Sequence, residues 1–188
     1  MLRIITALAF LLVINTCLRS QASIDFYPKS LASELKKLNG NEADMKELSI
    51  SSGIAQSILS GKYYTLTNSS SLPLIKYVFI GRVKTCRAGG CSIRRNEESD
   101  NGGEYFDYFI LYDAPGTVRL IKVFNCQTSH GQEITATSWL KQFKDYTGKT
   151  DLIIGKNVDA ISGATISVDA ITLDIEHKTK LLQQSLPK

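Results

Sequence analysis

YFDYFILYDAPGTVRLIKVF, residues 105–124, sets two runs of β-branched and aromatic residues on either side of Asp-Ala-Pro-Gly. Such side chains suit a pleated, half-buried surface, and Pro115-Gly116 is turn chemistry, so the stretch reads as two strands joined by a tight turn. A connection this short can only join antiparallel neighbours. Working outward, KYYTLT (62–67) and IKYVFIGRV (75–83) have the same character and extend the sheet to four strands. Between the second and third strands lies RRNEESDNGG (94–103), a polar loop.

Helical periodicity flanks this sheet. SLASELKKL (30–38) places Leu31, Leu35 and Leu38 on one face, with Ser30 as the expected cap and Asn39-Gly40 as the stop. The stretch 41–60 is expected to add one or two helical turns, with Ile54, Ile58 and Leu59 facing inward. After the strands, SWLKQFKDY (138–146) groups Trp139, Leu140 and Phe143 and stops at Gly148. From about Ile166 to Gln184, Val168, Ile171, Ile175 and Leu182 share one stripe, predicting a C-terminal helix packed on the sheet. The fold class is therefore α+β, an antiparallel sheet with helices packed on it.

With 188 residues, 43% hydrophobic and 21% charged, the chain can bury one core, and neither disorder nor a repeat array fits. The formal charge of +4 is spread out, so no nucleic-acid footprint is expected. The first residues form a separate segment. Arg3, the uncharged run Ile4 to Ile14, and Ser20-Gln21-Ala22 read as a signal peptide spanning 1–22 and cleaved after Ala22. Two rivals stay open, a retained anchor and a lipidated Cys17. The run is shorter than the roughly 20 residues a spanning helix needs, and Thr16 is a poor residue before a lipidated cysteine. The expected location is periplasmic or extracytoplasmic, with membrane association as a variant.

Export leaves Cys86, Cys91 and Cys126, an odd number. In an oxidising compartment CRAGGC is the natural bridge, because Gly89 and Gly90 let the chain bend back. A metal site is the weaker reading, since neither of the two histidines lies near this pair. Cys126 reads as a small buried hydrophobe. No C-x-x-C-H appears, which removes covalent haem.

One segment is left without a structural explanation. In VDAISGATISVDAIT (158–172), Ser162, Gly163, Ala164 and Thr165 stand between an acid and the C-terminal helix. Four small residues leave the backbone approachable, and Thr165 brings a hydroxyl to a helix N-terminus, where free N–H groups and the dipole favour a phosphate. The bland alternative is a turn in which Thr165 caps the helix.

DAISGAT (159–165) resembles the modification motif of the FMN-binding domain in the flavin-bearing subunits of sodium-pumping NADH:quinone reductase and of the Rnf complex. TSHGQEIT (128–135) is similar to that family's Thr-Pro-Gly-x-Gly loop, with Ser129-His130 in place of Pro-Gly, and WLKQF resembles the Trp-x-x-x-Phe helix that follows it. The likeness runs over about residues 60 to 180. It implies FMN as cofactor, joined through its phosphate to Thr165 by a dedicated flavin transferase that uses FAD and a divalent metal. By the same resemblance Asp159, Ser162, Gly163 and Ala164 belong to the attachment site, and Thr128, His130, Gly131 and Glu133 line the flavin. Ser162 and Ser167 read as turn and cap residues, His130 either bonds the flavin or faces solvent, and His177 is expected to be exposed.

The expected organisation is a signal peptide at 1–22, a helical segment at 23–59 and the FMN-binding domain at 60–188. Without a Gly-rich nicotinamide fingerprint, the protein is expected to be an electron carrier that works with a membrane redox partner rather than a self-sufficient oxidoreductase. Two alternatives remain, a flavin-dependent reductase with its own small substrate and a non-redox secreted domain held by Cys86 and Cys91.

Overall fold

The computed structural model describes residues 23–40, 44–50, 60–67, 74–86, 104–128 and 131–186. Within them, helix α1 (Lys29–Asn39) precedes strands β1 (Asp44–Leu48), β2 (Gly61–Thr67), β3 (Tyr77–Cys86), β4 (Glu104–Tyr112) and β5 (Val118–Gln127). A 3-10 turn (Gln132–Thr135), the short helix α2 (Thr137–Leu140) and a second 3-10 turn (Lys141–Phe143) then lead to the long helix α3 (Thr165–Ser185). The five strands form one sheet in the order β1-β2-β3-β4-β5, each antiparallel to its neighbour. The α+β architecture follows as expected.

Side-chain alternation divides the sheet into two faces. Phe106, Tyr108, Ile110 and Tyr112 of β4 point toward α3 and its stripe of Val168, Ile171, Ile175 and Leu182. Phe109 and Leu111 point the other way, into a core with Leu31 and Leu35 of α1. Asn39, at the end of α1, exchanges hydrogen bonds with both backbone groups of Ile75, and Lys122 of β5 pairs with Glu34 at 2.9 Å. On this face Asp107 accepts from Arg82 at 2.6 Å and from Asn125 at 2.8 Å, a polar row across β3, β4 and β5.

Three local expectations change. Asp44–Leu48, placed in helical turns by sequence, is a strand at the edge of the sheet, where charges at Asp44, Lys46 and Glu47 discourage further pairing. Ile54, Ile58 and Leu59 lie outside the described residues. Pro28, not Ser30, occupies the N-cap of α1, and the Ser30 hydroxyl is buried without a partner. Gly40 does end the helix, with φ +79° and its N–H on the Lys36 carbonyl. The Trp139 segment is one α-helical turn and a 3-10 turn that ends at Phe143, where Lys144 turns extended and Asp145 follows at φ +67°, well before Gly148.

Between α3 and the sheet lies a polar cluster. Lys178 is only 2% exposed, and its ammonium is 3.2 Å from Asp174. Tyr108 donates to the other Asp174 oxygen at 2.5 Å, and Tyr63 donates to the Lys178 carbonyl at 2.8 Å. Burial pushes the Tyr63, Tyr108 and Tyr112 hydroxyls far above the usual phenol range, so all three stay protonated. Among the described residues no helix is long and apolar enough to cross a membrane.

Removing one member of a buried ion pair strands the other charge. Asp174→Ala is therefore expected to lower unfolding free energy by about 3 kcal/mol or more. Lys178→Met removes the buried charge itself and leaves Asp174 its bond from Tyr108, so it should cost less. Urea denaturation of the two variants checks this ordering, and the reverse order would contradict it.

Candidate functional site

The segment 158–165 reaches helix α3 with every third residue pinned inside. Val158 is 2% exposed, Ile161 packs against the core and Ala164 is 3% exposed. Asp159, Ala160, Ser162, Gly163 and Thr165 face outward. The inward residues recur every third position, so the loop is anchored by burial while its polar edge stays open. The Ala164 N–H closes the turn on the Ile161 carbonyl at 3.1 Å. Gly163 has φ +81°, a left-handed conformation that a side chain would strain, and nothing within 4 Å would touch a Cβ there.

Thr165 opens α3, and the N-cap residue is Ala164. No side chain caps the helix and no acidic residue stands in its first turn. The reading of Thr165 as a capping residue is not what the fold contains. Instead an exposed hydroxyl lies at the N-terminus of a 21-residue helix whose first N–H groups have no side-chain cap among the described residues. Such an end carries roughly half an elementary positive charge, spread over those N–H groups.

The loop after β5 meets this helix end. Gly131 is buried at φ +78°, and a Cβ built on it would collide with Ser167 Oγ and lie 2.9 Å from Ser167 Cβ and 3.6 Å from Ala164 Cβ. Gly131 thus lets the loop lie directly on the first turn of α3. Ser167, read from sequence as a cap residue, is buried at this contact and caps nothing. Thr128 is buried as well, yet its hydroxyl lies 3.3 Å from Cys126 Sγ and its carbonyl accepts from Gln132. Glu133 is exposed on the 3-10 turn. His130 lies outside the described residues, as does Cys91, so the bridge with Cys86 does too.

The Trp139 segment grips the motif from its other side. Trp139 Nε1 donates to the Asp159 carbonyl at 2.9 Å, and the Asp159 N–H donates to Gln142 Oε1 at 2.7 Å. Trp139 packs edge-on against Phe143, 5.3 Å between ring centres, and Phe143 is buried in the core. Asp159 is held through its backbone, leaving its carboxylate on the exposed side. Gln142 leaves no local sequence signal for this contact, because its partner lies 17 positions away. Cys126 is a half-buried free thiol, less enclosed than expected, and His177 is half-buried rather than exposed. Among the described residues no group of His, Cys, Asp and Glu could hold a metal ion.

Residues 91–176 match the FMN-binding domain family. That range takes in β4, β5, the Gly131 loop, the Trp139 segment, the motif and α3 as far as Glu176. No curated protein and no solved structure matches the chain.

Gly131 and Gly163 share a left-handed backbone but differ in surroundings. Gly163→Ala is expected to lower stability by about 1 to 2 kcal/mol from backbone strain alone. Gly131→Ala should add about 1 to 3 kcal/mol for the overlap with Ser167. Denaturant midpoints of the two variants give the comparison, and a smaller loss at Gly131 would contradict the close approach.

Proposed function

Because residues 91–176 carry an FMN-binding domain, we propose that this protein is an exported electron carrier with FMN held covalently on Thr165. FMN is the cofactor the family implies, and flavin-dependent electron transfer is the activity that goes with it. When bound, FMN supplies the redox chemistry, while the protein supplies binding, orientation and electrostatics. The residues present fit a flavin linked through phosphate. The observation that carries the reading is the exposed Thr165 hydroxyl at the uncapped end of α3, beside the open backbone of Gly163.

A threonine hydroxyl is a weak nucleophile, and nothing in the first turn of α3 is a base. Activation therefore falls to the flavin transferase, with its divalent metal. In that step the Thr165 Oγ–phosphorus bond forms, the pyrophosphate bond of FAD breaks, AMP leaves and the hydroxyl proton passes to a base of the transferase. The helix end then faces a phosphate that keeps one negative charge, an arrangement worth about 0.3 to 1 kcal/mol at an exposed site. Covalent attachment keeps the flavin from being lost where free FMN is scarce, consistent with the leader at 1–22. The electrons pass between a membrane redox partner and a downstream acceptor.

Co-expression with a flavin transferase is expected to give a wild-type protein heavier by one FMN less one water and fluorescent after denaturing gel separation. Thr165→Ser should keep the label and Thr165→Val should lose it. Label retained on Thr165→Val would overturn the attachment site.

A further inference from the structure

The outward edge of the motif loop is gripped by side chains of another element at one residue among those described, Asp159, and both of its backbone groups are engaged. Trp139 Nε1 donates to its carbonyl at 2.9 Å and Gln142 Oε1 accepts its N–H at 2.7 Å. The Gln142 amide is itself oriented, because its Nε2 donates to the Trp139 carbonyl at 2.9 Å. These bonds form a closed set. Trp139 is fixed edge-on to buried Phe143, and Leu140 of the same segment is 3% exposed, so the grip is rooted in the core. Both bonds to Asp159 lie at the surface. Neither bond involves the buried side chains of Val158, Ile161 and Ala164, so the grip on Asp159 is separate from the packing that anchors the loop.

We infer that Trp139 and Gln142 are positioning residues for flavin attachment, clamping the Asp159 backbone so that the turn beside the Thr165 hydroxyl meets the transferase in one conformation. This rests on attachment at Thr165. The transferase would then read a folded surface rather than a linear heptapeptide. An unclamped loop samples several conformers, and a partner that binds one of them sees its apparent affinity fall by the fraction of time that conformer is present. The clamp should therefore act on KM for the protein substrate and leave kcat, the rate once the loop is seated, nearly unchanged. A purely structural role would instead lower the folded fraction and the melting temperature.

The test is the initial rate of covalent flavin incorporation by purified transferase with FAD and magnesium, measured against concentration of the full chain. Wild type is compared with Trp139→Phe, which keeps a ring against Phe143 but lacks the N–H, with Gln142→Ala, and with a synthetic peptide of residues 155–170. Each variant loses one of the two hydrogen bonds to Asp159, which is expected to raise KM about three- to tenfold at unchanged melting temperature. The peptide should be a poorer substrate than either. Equal KM for wild type and both variants, or a peptide as good as the folded protein, would overturn the clamp while leaving the attachment site standing. A wild type that takes up no flavin would instead sink the reading on which the clamp rests.

Discussion

Helix α3 is seated on the sheet by Val168, Ile171, Ile175 and Leu182, and the place of Thr165 follows from that seating. These residues form one stripe against Phe79, Tyr108, Ile110 and Tyr112, so the helix can neither rotate nor slide without opening the larger of the two cores. With the helix fixed, its first turn is fixed, and the Gly131 loop closes against that turn at Ser167 and Ala164. The hydroxyl at the front is thus an exposed group on a rigid support. A loop threonine of the same sequence would lack both the support and the aligned N–H groups of a long helix.

The buried Lys178–Asp174 pair fits the same account. Exchanging such a pair for apolar residues is often neutral or stabilising, so the pair is weak evidence for stability and better understood as setting register. Tyr108 reaches Asp174 and Tyr63 reaches the Lys178 carbonyl, and both bonds would break if α3 shifted by one turn. Asp174 is nine residues from Thr165, roughly 13 Å along the helix. The pair therefore bears on where Thr165 sits more than on the charge around it.

Most of the sheet was legible because Tyr, Phe, Val and Ile cluster in four runs with turn residues between them. β1 was not, since an edge strand such as DMKEL needs no apolar face and keeps charges that resemble a helix surface. The Trp139 helix was overextended because its apolar spacing continues to Tyr146, past the point where Lys144 turns extended. The motif itself could be read, as small residues before a periodic segment are a local pattern. Its surroundings could not. Gly131 against Ser167 and Gln142 against Asp159 join residues far apart in the chain, and only packing reveals them. Lys178 did leave a signal, a charged residue on the stripe that runs through Ile171, Ile175 and Leu182, and it marks the buried pair.

Phosphorus NMR of the denatured holoprotein reads the proposed bond between the Thr165 oxygen and a flavin phosphate. A phosphate esterified on both sides keeps a single negative charge, so its resonance should stay with the protein and not move between pH 5 and 8. Free or loosely bound FMN carries a monoester, whose second proton leaves at a pKa of about 6. A resonance that titrates through that range and passes into the filtrate would contradict covalent attachment.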